Sequence, residues 1–346
     1  MLADIASAQR DICFEMYIWE ADEDGRAFQQ AMIRQARAGR WVRVVYDAIG
    51  CIDTPAQFFE EMREAGVEVV AFNPLRGRRL RQRLPSLDRR NHRKVLVVDD
   101  RVAWLGGINV ASRLADWEDA QIRMEGRIAR AVRISFERVW AQHYRGIVLR
   151  RPPRGAPQRQ RYLILDGFPV PNYSPIKRAH LHLFSRARRR VRILHAYFVP
   201  DRKTIRVLRR AVRRGAAVQV IVPLRSDVGA VDWALAHVLG RLLRSQVEVR
   251  MHAEPMLHSK VCVTDDRYAI IGSANLNRTS LFRNLEIALW TRDERVVRPL
   301  VDRFEYLWER ARPYTLDEHR RRGRARRFLS WLAYRLLFWL PANQTW

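Results

Sequence analysis

Cysteine is scarce in this chain. Cys13, Cys51 and Cys262 are an odd number in 346 residues and share no metal-like spacing. That predicts buried free thiols in a reducing compartment, with neither a disulfide framework nor a cysteine-based zinc site. Long apolar runs are missing too. No stretch reaches the ~18 residues of a transmembrane helix, and no signal-peptide pattern opens the sequence. Acidic residues are outnumbered, 37 against 64 basic ones, for a formal net charge of +27. Such a surface concentrates polyanions: nucleic acid, anionic lipid headgroups or other phosphates. Charge alone does not choose among them. With 48% hydrophobic and 29% charged residues, the composition excludes a disordered chain, and the length allows two domains with a core each.

What the chain does have is an internal repeat. HRKVLVVDDR at 92–101 and HSKVCVTDDR at 258–267 agree at seven of ten positions, and Gly106 and Asn109 answer Gly272 and Asn275 at the same offset of 166. Unrelated segments agree at about one position in ten or fewer. Gly39 ahead of residues 42–45 resembles Gly215 ahead of 218–221, each a helix-terminating glycine feeding a buried strand. Phe136 and Trp140 answer Phe304 and Trp308, an i,i+4 pair that marks a core-facing helix stripe, and Tyr17 answers Tyr197. Each half reads strand, helix, strand, helix, strand, motif strand, hairpin strand, strand, helix. The fold class is therefore α/β, with two tandem α/β/α sandwich domains related by pseudo-twofold symmetry. Residues 1–150 form the first half, 151–160 a Pro- and Gly-bearing linker, 161–318 the second half and 319–346 a basic tail.

The halves differ in two places. The first gains 14 residues just before His92, an insertion with Arg76, Arg78, Arg79, Arg81, Arg83, Arg89 and Arg90, suited to anions or a membrane surface. The second opens with a strand at 162–166, whereas the first begins inside the matching helix, so the repeat predicts a strand upstream of Met1. In the tail, arginines at 320–322, 324, 326 and 327 precede an aromatic-rich segment, 328–340. Thirteen residues are too few to cross a ~30 Å apolar layer, so in-plane insertion at an anionic surface is expected. The other reading is a final helix packed on the protein.

Each motif sets His and Lys two apart at a strand start, on one face. An imidazole beside an ammonium suits phosphate chemistry: the ring attacks or moves a proton while the cation holds non-bridging oxygens. The doubled pattern H-x-K-x4-D-x6-G-[SG]-x-N resembles the signature of the phospholipase D superfamily. In detail it is similar to bacterial cardiolipin synthases of the B type, through residues 91–94 (NHRK), 104–109 (WLGGIN), 116–119 (DWED), 124–126 (MEG) and 72–75 (FNPL).

That resemblance implies one pocket made by two half-sites, with a catalytic set of His92, Lys94, Asp99, His258, Lys260 and Asp265. His92 would form a phosphohistidine and His258 would act as acid and base. Asn109, Asn275 and Ser273 would bind phosphoryl oxygens with the lysines, and Asp119 and Glu286 would orient the histidines. Asp99 and Asp265 end their strands and read as supporting hydrogen-bond groups. Position 107 is Gly where the stricter signature has Ser. No metal or other cofactor is implied. The expected reaction is transesterification of phosphatidylglycerol onto a second phospholipid; the alternative is a phospholipase D or nuclease with water as acceptor. The expected partners are an anionic phospholipid membrane and phospholipid substrates, with nucleic acid disfavoured and no obligate protein partner. The expected location is peripheral, on the cytoplasmic face of the cell membrane. His195 in an apolar strand and His237 in an amphipathic helix read as core or surface residues.

Overall fold

A computed structural model describes residues 1–74, 89–145, 161–170 and 173–339. Most of the arginine-rich insertion and the linker at 151–160 lie outside the described residues. The first half runs α1 (Leu2–Ala6), β1 (Asp11–Met16), α2 (Glu23–Arg37), β2 (Trp41–Asp47), α3 (Ala56–Glu64), β3 (Glu68–Phe72), β4 (Val95–Val98), β5 (Val102–Gly106), β6 (Gln121–Glu125) and α4 (Arg127–Arg145). The second runs β7 (Tyr162–Gly167), α5 (Pro175–Arg186), β8 (Arg190–His195), α6 (Arg202–Arg213), β9 (Ala217–Pro223), α7 (Gly229–Leu243) and β10 (Glu248–His252). It continues through β11 (Lys260–Thr264), β12 (Tyr268–Gly272), α8 (Arg278–Phe282), β13 (Glu286–Thr291) and α9 (Glu294–Arg310). A two-residue strand β14 (Arg312–Pro313), α10 (Leu316–Arg321) and α11 (Arg324–Trp339) follow.

Two sheets result, in the orders β3-β2-β1-β4-β5-β6 and β14-β10-β9-β8-β11-β12-β13-β7. In each, three parallel strands joined by helices meet an antiparallel run at the motif strand, β4 beside β1 and β11 beside β8. Local chemistry explains the matching helices. Asp22 and Asp201 cap α2 and α6 by accepting from the N–H of Gly25 and Thr204. Gly39 and Gly215 follow those helices at φ of +82° and +90°, a conformation glycine adopts without a Cβ penalty. In the second sheet β7 lies on the edge beside β13; in the first, β6 is the edge among the described strands.

Outer helices cover the far face of each sheet, and a third core joins the halves. It combines Val95, Val97, Leu105, Phe136 and Trp140 with Val261, Ile271, Ile287, Phe304 and Trp308. The two Phe/Trp pairs anticipated from sequence stack in this core, their ring centroids 5.8 and 5.6 Å apart. Burial of such a side chain contributes roughly 1.5–3 kcal/mol. Backbone bonds cross between halves reciprocally: His92 N–H donates to Leu285 O (3.0 Å), and His258 N–H to Glu118 O (2.8 Å). Each motif therefore leans on the chain that leads into β13 or β6 of the other half. The three cysteines are buried and unpaired. Helix α11 packs along α7, with the Tyr334 hydroxyl 3.4 Å from Pro200 O, so the packed reading of the tail holds for this face.

Candidate active site

The crossing backbone brings both motif histidines to one cavity of about 280 Å³, which His92, His258, Asn109 and Asn275 line together. Their orienting carboxylates are exchanged between halves. His92 Nδ1 lies 3.1 and 3.2 Å from the Glu286 oxygens, and His258 Nδ1 lies 2.5 Å from Asp119 Oδ2. A carboxylate on Nδ1 selects the tautomer with the proton there and leaves Nε2 as the reactive nitrogen. Tyr17 packs edge-on against His92 at 4.7 Å between centroids, and Tyr197 and Trp117 flank His258 at 5.9 and 5.1 Å. Lys94 Nζ donates to His92 O (2.8 Å), and Lys260 Nζ donates to His258 O, fixing each ammonium beside its own imidazole.

Burial dominates the electrostatics. It pushes Lys94 down to about 7 and Lys260 to about 8, with Glu286 and Asp119 respectively opposing the shift. It pushes His258 down to about 4, helped by the Lys260 charge and opposed by Asp119, and it lowers His92 in the same way. Burial also acts to raise the two carboxyls. For Asp119, the Lys260 and His258 charges outweigh it; for Glu286, His92, Lys94 and the Ser273 hydroxyl do, so both acids sit below their ordinary values. Burial and these neighbouring charges thus favour neutral imidazoles against ionised acids. An entering phosphodiester anion raises the lysines and histidines again, because it supplies the charge that burial removed.

Three expected site residues are corrected. Asp99 and Asp265 do not reach the cavity. They occupy the far hairpins at φ of +54°, each followed by a second left-handed aspartate, in three-residue loops where the N–H of Arg101 or Arg267 donates back to Val98 O or Thr264 O. The Asp99 carboxylate accepts the N–H groups of Gln9, Arg10 and Asp11 at 2.8–3.0 Å, and Asp265 those of Arg188, Arg189 and Arg190. They tie each motif hairpin to the start of β1 or β8. Ser273 is fully buried, and its hydroxyl donates to Glu286 at 2.5 Å rather than lining the cavity. Ser280 holds the other Glu286 oxygen. Gly107 has a steric reason: a Cβ there would stand 2.1 Å from Asp119 Oδ1.

Both asparagines are placed for a ligand. Asn109 Oδ1 accepts from the Ile18 N–H at 3.1 Å, and both residues line the cavity. Asn275 is 5% exposed, and its Oδ1 has no hydrogen-bond partner among the described residues. Sequence reasoning gave no site role to Tyr17, Tyr197, Trp117, Asn277 or Asn284, all of which line the cavity. The signal for the tyrosines was present, since they recur at matched places in the repeat. Arg90, expected among the anion-contacting arginines, also lines the cavity, its Nη1 3.5 Å from Asp47.

The family model described as "Cardiolipin synthase, PLD-like domain" matches residues 1–140 and 181–308, which takes in both motifs. The chain belongs to this family. Its members are phosphatidyltransferase enzymes of the phospholipase D superfamily. The major cardiolipin synthase of Bacillus subtilis is 30% identical over 334 residues, covering 93% of this chain and 69% of that protein. Cardiolipin synthase B of Salmonella typhi is 32% identical over 318 residues, covering 87% and 75%. A cardiolipin synthase of Geobacillus is 29% identical over 301 residues, and there the chain spans 58% of the relative's length. The crystal structure of phosphatidylserine synthase from Haemophilus influenzae has the same fold, with a TM-score of 0.72 at 14% identity over 97% of this chain and 89% of that one.

Proposed function

We propose that the chain transfers a phosphatidyl group from phosphatidylglycerol to a second phospholipid by way of a phosphohistidine. The observation that carries this reading is the pair of imidazoles lining one cavity, each held by a carboxylate of the opposite half. His92 Nε2 attacks phosphorus, and the bond to the glycerol oxygen breaks as His258 gives that oxygen a proton. The hydroxyl of the acceptor lipid then loses its proton to His258 and attacks phosphorus, freeing His92. Lys94, Lys260, Asn109 and Asn275 hold the non-bridging oxygens throughout. Asp119 stabilises the imidazolium that His258 becomes.

A lipid substrate is supported by the surface as well. Phe328, Leu329, Trp331, Leu332 and Leu336 of α11 are 37–59% exposed on the side away from α7, next to the arginines at 320–327. No helix among the described residues is long and apolar enough to cross a membrane. A basic, aromatic face of this kind suits a peripheral position on an anionic leaflet, the cytoplasmic one in our reading. A water-accepting nuclease has no use for it. Labelled phosphatidylglycerol vesicles test the proposal. A diphosphatidyl lipid plus free glycerol is the expected product, while cleavage of DNA without lipid turnover would overturn the assignment.

A further inference from the structure

Away from the catalytic cavity, the second half buries three donor groups together. His180 on α5, His195 at the end of β8 and Cys262 in β11 are 2%, 1% and 0% exposed. One ligand atom from each lies within 4.8 Å of the other two. Strand pairing accounts for part of this: Lys260 stands opposite His195, and Cys262, two residues on, projects to the same face. His180 Nδ1 is 2.9 Å from Ile176 O, so it carries the proton and leaves a lone pair on Nε2. Neither nitrogen of His195 has a hydrogen-bond partner among the described residues. A polar ring orphaned at this depth calls for a ligand. The repeat shows that the fold does not require the trio. Leu96 stands where Cys262 does, and Met16, one step past the Glu15↔Val95 pair, stands where His195 does.

We propose that His180, His195 and Cys262 form a trigonal site for one soft monovalent cation, copper(I) by its chemistry. Thiolate and imidazole together select soft d10 ions. Bonds of about 2.0–2.3 Å set trigonal donors about 3.5–4 Å apart, so the three side chains close by about 1 Å to bind. Binding exchanges the Cys262 thiol proton for the metal, the proton leaving to solvent, while each imidazole gives a lone pair without losing a proton. The buried charge is then unchanged. A divalent ion would instead leave a net positive charge against Lys260 on the same sheet face. A structural zinc would also need a fourth ligand, which the trio lacks.

The test is anaerobic titration of the full chain with copper(I) against a chromophoric chelator, beside Cys262→Ala and His195→Leu variants whose folding is checked by circular dichroism. One ion per chain is expected on the parent, with at least tenfold weaker binding in each folded variant. Because a core variant can fail to fold, X-ray absorption at the copper edge of the parent gives a second readout, expected to show one sulfur and two imidazole nitrogens. A chain that binds no copper, binding undiminished in the variants, a copper shell without sulfur, or zinc(II) held at this site in preference to copper(I) would each overturn the proposal.

Discussion

At the scale of single residues, the site is built on charge states that burial makes unfavourable until substrate arrives. Lys94 and Lys260, lowered by burial to about 7 and 8 against an ordinary 10.5, are largely and partly neutral at pH 8. A phosphodiester raises both, so binding takes up more than one proton at that pH. Calorimetry of a phosphodiester headgroup analogue in buffers of different ionisation enthalpy should show that uptake, and affinity should fall as pH climbs from 7 to 9. Binding without proton uptake would mean the lysines are already charged. His92→Ala and His258→Ala should each lower lipid transfer at least about a hundredfold. Only His258→Ala should recover release of a good leaving group such as a nitrophenol, as a single burst, because that group departs without a proton while the acceptor still needs His258 as its base; a burst in His92→Ala instead would reverse the roles. Gly107→Ser should lower lipid transfer, since its Cβ meets the Asp119 carboxylate at 2.1 Å and must push it from its place on His258. Full activity in that variant would contradict the packing. One residue-level clue went unread in the sequence: Lys94, Lys177, Lys203 and Lys260 are its lysines, all other cationic chains being arginine. An ammonium loses its charge on burial far more readily than a guanidinium, which makes a motif lysine in so arginine-rich a chain a functional choice.

At the scale of elements, the repeat made much of the architecture legible. The helix-terminating Gly39 and Gly215, the Phe/Trp stripes and the motif strands all stand where periodicity put them, because each is decided by local geometry or by a face that must be buried. The hairpin aspartates were misassigned for the same reason: in sequence they lie near the histidines, but a four- or five-residue strand carries them to the other end of the sheet. Asp99→Ala should therefore lower stability by about 1–3 kcal/mol, the cost of three orphaned N–H groups, in chemical unfolding. Turnover by the folded fraction should stay within about threefold of the parent; a loss as large as that of His92→Ala would restore Asp99 to the chemistry. Helix α11 packs one face on α7 and leaves the other exposed, the face we propose meets an anionic membrane. Replacing Phe328 and Trp331 together with Asp should weaken sedimentation with anionic vesicles at least tenfold, yet spare turnover of a soluble phosphodiester. Unchanged sedimentation would remove the docking role.

At the scale of the whole molecule, function depends on the halves trading parts. Asp119 and Glu286 were legible as acids at matched positions, but the exchange was not, because only the pseudo-twofold packing decides which histidine each one meets. Ser273 shows the same limit: its hydroxyl was expected on phosphate, yet the partner half's histidine needs Glu286 held in place. This interdependence is why the central core is shared, and why neither half holds a complete site. The claim that two imidazoles serve one phosphorus is tested most directly by rapid acid-free quench of the full chain with phosphatidylglycerol labelled at phosphorus, followed by peptide mapping. The account predicts label on His92, at no more than one per chain, rising when His258 is replaced and a good leaving group is supplied. Label on both histidines at once, or turnover with no labelled histidine at all, would contradict it.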